Sequence, residues 1–230
     1  MLVTALRKAI SAGDVESVVL DKKGGFEVVS KDKNTFIFYQ GKGDELKVKE
    51  ELCLYFLKVF VDMLTGLSEE YTVAYDTARK MLRIEDKVRT IQFLTADPVL
   101  MLNRYVKKGG VHILETFADS AKNNIFALSA EMLKDVLRNV NILREYNEYV
   151  TLVGDKSGVY FVVGKDNAHQ VRLHLADATT KPFSVVVNIE PFIKVLSSCT
   201  MQATITVIDG TSPIRIEDEE VTYVILPRGR

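Results

Sequence analysis

Basic side chains recur on one side of several apolar-periodic segments, at spacings that suit contact with phosphates. After Ser129, Leu133, Val136, Leu137, Val140 and Leu143 return at helical intervals. That periodicity gathers Lys134, Arg138 and Asn141 in one sector, with Glu131 at its edge. The opening segment, 2–12, sets Leu2, Leu6, Ala9 and Ile10 opposite Arg7 and Lys8. A segment over 53–65 offers Lys58, partly offset by Asp62, and a short one near 190–198 offers Lys194 beside Ser197 and Ser198. Such residues meet phosphate oxygens without reading bases, so their binding is salt-sensitive and sequence-independent. One basic face is ordinary for a solvated helix. Four of them, in a chain of formal net charge −1, make a local phosphate-facing surface an equal alternative.

Other chemistries find little support. Gly41-Lys42-Gly43 lacks the spacing of a phosphate-binding loop and reads as a turn. Alternation along 170–176 puts His174 on a polar face beside Arg172, without a cysteine or carboxylate to complete a metal site; His169 is five residues away and His112 stands apart. Glu217-Asp218-Glu219-Glu220 falls at a hairpin and lacks a calcium-loop pattern. No serine or cysteine sits in a nucleophile motif. Cys53 and Cys199 lie far apart in apolar or small-residue surroundings, as expected of free thiols in a reducing compartment. The expectation is a protein that is not an enzyme and needs no metal or cofactor.

The elements that must position these residues repeat. Asp21–Asp32, DKKGGFEVVSKD, returns 134 residues later as Asp155–Asp166, DKSGVYFVVGKD, and Leu82–Asp86 returns 132 residues later as Ile214–Asp218. Two echoes in the same order argue for tandem duplication. Each half reads as helix, strands, helix, strands. Helices are expected over 2–12, 53–65, from Ser129, and over 190–198. Strands are expected near 15–20, 26–30, 35–40, 45–49, 71–76, 80–85 and 88–94. They recur near 149–154, 158–164, 170–176, 183–188, 201–208, 213–218 and 221–226. The second helix is apolar nearly all round, which implies that it is covered on most sides. The fold class is α+β, two similar domains of antiparallel sheet with two helices each. The domains are placed at 1–110 and 124–230, with a connector at 111–123 holding one strand, Val111–Leu114. The 230 residues, 47% apolar and 27% charged, suit two soluble domains. The most apolar run, Leu52–Leu64, is interrupted by Lys58 and Asp62 and is too short to span a bilayer. No signal peptide is visible, and a cytoplasmic location is expected, the host's cytoplasm if the protein is viral.

The C-terminal run Phe183–Leu196 (FSVVVNIEPFIKVL), followed by Met201–Ile208, Pro213–Ile216 and Val221–Arg228, resembles the last third of a DNA polymerase sliding clamp. It is similar to proliferating cell nuclear antigen and, in its brevity, to the clamps of large tailed phages. Leu46–Ile91 is similar, more loosely, to the first domain of the phage clamps; residues 98–123 match poorly. The resemblance implies a homotrimeric ring that encircles duplex DNA and tethers the replicative polymerase as a processivity factor. It would be loaded by an ATP-dependent clamp loader. Helices would line the hole, with Arg7, Lys8, Lys58, Lys134, Arg138 and Lys194 facing DNA. Subunits would join by pairing Val111, His112, Ile113 and Leu114 with Val171, Leu173 and Leu175 of the next copy. Partner peptides would dock in a pocket formed by Leu114, Val224, Leu226 and Pro227, although Val224 and Leu226 read equally as core. The alternative is a monomeric, charge-tethered polymerase processivity factor of the same fold.

Overall fold

The computed structural model describes residues 2–41, 46, 50–68, 70–98, 107–108, 111–119, 122–164, 169–177 and 181–228. The chain opens with helix α1 (Leu2–Gly13), which buries Leu2, Ala5, Leu6, Ala9 and Ala12 along one face. Strands β1 (Ser17–Leu20), β2 (Phe26–Val29), β3 (Thr35–Tyr39) and β4 (Leu52–Tyr55) follow, then helix α2 (Leu57–Leu64). Three strands come next: β5 (Thr72–Asp76), β6 (Met81–Glu85) and β7 (Thr90–Leu94). The two-residue strand β8 (Lys107–Lys108) precedes the connector, which holds its partner β9 (Val111–His112) and a 3-10 turn, Ile113–Phe117.

The second half begins with β10 (Asn124–Leu128) and helix α3 (Ala130–Leu143), capped by Ser129, whose hydroxyl accepts from the Met132 amide at 3.2 Å. Strands β11 (Tyr149–Asp155), β12 (Gly158–Gly164), β13 (Gln170–Ala176) and β14 (Phe183–Asn188) lead to helix α4 (Ile189–Ser198). Strands β15 (Ala203–Val207), β16 (Ile214–Asp218) and β17 (Val221–Ile225) complete the described chain.

The duplication is visible in the sheets. The order β3-β2-β1-β4 in the first half is the order β13-β12-β11-β14 in the second, and β5-β6-β7 matches β15-β16-β17. All named pairings are antiparallel, which makes the fold α+β with helices on one side of the sheets. Strand β17 pairs with β3 across the two halves, Val221 opposite Tyr39 through Ile225 opposite Thr35, so an eight-stranded sheet runs β10-β15-β16-β17-β3-β2-β1-β4. One apolar core extends beneath the helices through both halves. A second, smaller cluster, Phe36, Phe38, Ile113, Phe117 and Val224, lies apart from it under the connector turn.

The two sequence echoes differ in meaning. Leu82 and Ile84 are buried as Ile214 and Ile216 are, and Arg83–Glu85 repeats as the ion pair Arg215–Glu217, so the later echo is in structural register. The earlier one holds only through the turn. Asp21 and Asp155 both accept amide hydrogens with Oδ1, from Lys23 and Ser157 at 2.7 Å. The first hairpin then carries one extra residue, because Leu20 faces Phe26 while Gly154 faces Val159. Beyond the turn, the core position of Val28 is therefore taken by Phe161, and not by the identical Val162.

Further expectations change. The apolar run expected as a helix from residue 53 begins as strand β4, which pairs with β1. Phe56, at φ +53°, ends the strand and starts α2 one residue later. Apolar residues on every side cannot distinguish a doubly covered strand from a helix. The connector strand expected over Val111–Leu114 stops at His112, since Ile113 and Leu114 enter the 3-10 turn. Strand β10 has no counterpart among the expected strands. A strand expected at 45–49 falls mostly outside the described residues. Among the described residues, no helix is long and apolar enough to cross a membrane.

Candidate nucleic-acid interface

Helix α1 packs against α2 and α4, and α4 packs in turn against α3, so the helices follow one another in the order α2, α1, α4, α3. The buried face of each rests on the sheets, which leaves the opposite faces to form a common surface. Arg7, Lys58, Lys134 and Arg138 are exposed on it, and Lys194 is half-exposed.

Local contacts modify several of these cations. Arg7 donates to Thr65 Oγ1 at the end of α2, which pins its guanidinium across the α1–α2 junction. Lys194 Nζ lies 2.6 Å from Asp14 Oδ2, a contact between α4 and the end of α1. The hydrogen bond that it donates to Asp14 is the main reason that the Lys194 ammonium is raised above the ordinary lysine range. Lys8 departs from expectation. It is buried, 7% exposed, and its Nζ lies 2.6 Å from Asp218 Oδ2 on β16, itself 1% exposed. A lysine held in that way presents no charge to the helix surface, so Lys8 is removed from the phosphate-facing set. Helical spacing alone puts it one position from Arg7 and cannot reveal a buried carboxylate 210 residues away.

Acidic side chains interrupt the surface: Asp62, Glu131, Asp135 and Glu190 are exposed on the same helices. Cations and acids are thus interspersed on these faces, with no large excess of either sign.

The residues expected to form a partner-peptide pocket do come together. Val224 is fully buried beneath the connector turn, and Leu114 and Leu226 pack against the same small cluster. Pro227 is half-buried. The turn is anchored at its start by His112. The Leu114 amide donates to His112 Nδ1 at 3.3 Å, and the ring's Nε2 lies 3.2 Å from Glu27 Oε1. At its end, Asn123 Nδ2 donates to the Phe117 carbonyl at 3.1 Å. Within one chain, then, Ile113 and Phe117 already cover the apolar floor.

Among the residues expected at a subunit contact, Val171 and Leu173 are half-buried and pack on the main core, and Leu175 is buried. Their strand β13 is an edge, with β12 on one side and no described strand on the other. Ile113 is also buried within its own chain.

Periodicity did not reveal an exposed apolar sector on α2. Phe56, Val59 and Met63 are 68%, 49% and 41% exposed, so the helix expected to be covered on most sides is uncovered on one. Ile142 and Tyr146, at the end of α3, are exposed as well. The all-round apolar character of residues 56–64 is the signal that marks the first group.

No family model matches the sequence, and no curated protein matches it. Solved structures do resemble the fold. The chain is similar to the A. fulgidus PCNA bound to the C-terminal region of FEN-1, with 12% identity and a TM-score of 0.71 over 100% of this chain and 96% of that one. It is similar to Proliferating Cellular Nuclear Antigen from Entamoeba histolytica, with 11% identity and a TM-score of 0.70 over 99% and 94%. It also resembles the PCNA2-PCNA3 complex from Sulfolobus tokodaii, with 14% identity and a TM-score of 0.67 over 98% and 95%. The chain therefore has the sliding-clamp fold.

Proposed function

We propose that the chain is a sliding clamp, a non-catalytic subunit of a homotrimeric ring that encircles duplex DNA and tethers a replicative polymerase after loading by an ATP-dependent loader. The observation that carries this reading is the seam between its halves. At that seam β17 pairs with β3 and α1 packs against α4. The duplication places β7, β13, α2 and α3 as the equivalents of β17, β3, α4 and α1. All four lie at the ends of the described assembly: β7 and β13 are edges of their sheets, and α2 and α3 end the helix row. A second copy added head to tail would rebuild the seam between chains, and repetition of the step closes a ring when the rotation allows.

Mapping the β17–β3 register onto the ends gives the pairing. Ile91 of one copy would lie opposite Leu173 of the next, and Phe93 opposite Val171, on the core side. Gln92 would face Arg172, and Thr90 would face His174, on the outer side. This proposal moves the contact from Val111–Leu114 to Thr90–Leu94, because the connector turn is occupied by its own chain's cluster. The exposed apolar sectors of α2 and α3 would meet at the same seam.

In the ring, Arg7, Lys58, Lys134, Arg138 and Lys194 would face DNA. Partner peptides would dock around Leu114, Val224, Leu226 and Pro227 after displacing the connector turn. Paired cysteines at Gln92 and Arg172, or at Thr90 and His174, test the assembly: oxidation is expected to give covalent trimers, since directly opposed strand residues come close enough for a disulfide. A monomer at every concentration, with no cross-linking by either pair, overturns the ring and leaves the charge-tethered monomer.

A further inference from the structure

Alternation divides β3 and β17 between two faces. Ile37, Tyr39, Tyr223 and Ile225 belong to the main core, while Phe36, Phe38 and Val224 form the separate cluster on the outer side. The duplication shows that this outer patch is particular to the seam. By register, Arg172 and His174 are the equivalents of Phe36 and Phe38, and Gln92 is the equivalent of Val224. All three equivalents are polar and exposed. The same face is thus left to solvent at the ends of the described assembly, and is apolar and covered at the seam between the halves. The cover is the connector turn, whose Ile113 and Phe117 are each 4% exposed.

Among the described residues, side chains tie this cover to the sheet. Strand β9 pairs with β8 alone, so no ladder joins the connector to β3 or β17. His112 Nε2 lies 3.2 Å from Glu27 Oε1, and its ring rests beside Phe38 with centroids 5.5 Å apart. Arg215 on β16 sits over the Phe117 ring, Cζ 5.5 Å from its centroid. Asn123, which holds the Phe117 carbonyl, belongs to the connector itself. A segment with its own small cluster and no shared ladder can lift without disturbing the main core.

We infer that the Ile113–Phe117 turn is a reversible plug, an occupant that the chain itself supplies to its partner pocket. The inference deepens the pocket reading proposed above and rests on it. The turn and a partner segment compete for one floor, formed by Phe36, Phe38 and Val224. The apparent affinity for a partner therefore falls in proportion to the fraction of chains in which the turn is lifted. Ile113 and Phe117 set the strength of the plug, and the contact of His112 with Glu27 latches its first end.

Two measurements on the full chain test this. The first is native thiol labelling of Val224→Cys by a neutral reagent. The introduced thiol should react at least about tenfold faster than Cys53, which is buried in the same molecule and reports opening of the main fold. His112→Ala should speed the reaction at position 224 and leave Cys53 unchanged. The second is binding of the fluorescent peptide His-Ile-Leu-Glu-Thr-Phe-Ala, the sequence of residues 112–118, followed by anisotropy. It should bind the double variant Ile113→Ala with Phe117→Ala at least about tenfold more tightly than the parent. Should the double variant not fold, His112→Ala, at a half-buried position, should shift the peptide affinity in the same direction. Labelling at position 224 no faster than at Cys53 overturns the inference, since the turn is then fixed core. Equal binding to parent and variants overturns the plug and leaves the pocket standing. Binding to none of them overturns the pocket reading together with the plug.

Discussion

Lys8 and Asp218 meet 2.6 Å apart inside the protein, one on the first helix and the other on the penultimate strand. The pair joins the two halves through the interior, close to Cys199, whose thiol both charges influence. Removing one partner leaves the other charged and buried. Lys8→Met or Asp218→Leu alone is expected to cost about 3–5 kcal/mol. The double replacement should restore most of that, since it leaves no unpaired charge. Denaturant titration of the three variants provides the check.

The apolar sector of α2 supplies a test of assembly that spares the fold. Phe56 and Val59 are exposed in a single chain, so Phe56→Asp with Val59→Asp should leave secondary structure and monomer stability nearly unchanged. Native mass by light scattering should fall from about three times 25.9 kDa to that of one chain. Leu173→Asp is a poor substitute, because Leu173 packs on the main core and its loss would destabilise the subunit itself.

Neutralising Lys134 and Arg138 should flatten the salt dependence of DNA binding, by about 1 in the log–log slope for each cation that no longer pairs with a phosphate. Substituting Lys8 should leave that slope unchanged, since its ammonium is committed to Asp218. Binding measured across a salt series separates the two.

Burial, assisted by the nearby charge of Asp218, pushes the Cys199 thiol up to about 12. Thiolate is the reactive form, so native protein at about pH 8 should be labelled slowly by a thiol reagent. Labelling should become fast on unfolding. Rapid native labelling of Cys199, identified by peptide mapping, would contradict its placement at the end of α4.

Asp209 caps the turn after β15. Its Oδ1 accepts from the Thr211 amide at 2.7 Å and the Ser212 amide at 2.8 Å. The Thr211 amide bond leads in holding its carboxyl below the usual carboxylate range. A depressed native value means stability that is fully present above the unfolded value of about 3.9 and is lost as pH falls through the native one. Asp209→Ala should therefore be less stable than the parent at about pH 7, and the difference should shrink with acidification below about pH 4. Thermal melts at several pH values test the sign.

Much of this architecture can be read from periodicity. Alternation along 170–176 and 221–225 announces strands, and the spacing of Leu133, Val136, Val140 and Leu143 announces α3. The cations on exposed helix faces follow from the same geometry. What could not be read is long-range. Lys8 looks like Arg7 until the fold delivers Asp218 to it. Cys53–Tyr55 looks helical until β1 pairs with it. The identical residues of the first echo slip by one position because a single extra residue in a hairpin moves every later side chain to the other face.

The strand pairing of β17 with β3 has a mechanical consequence. The last described strand is stitched into the sheet of the first half, so neither half can loosen without breaking a ladder that belongs to both. Heat or denaturant should melt the subunit as one cooperative block, with probes on α1 and α3 reporting the same transition. In an assembled ring this would make each chain a stiff arc. Opening to admit DNA would then fall to the joints between arcs, where edge pairing and a patch of apolar helix surface are all that must part.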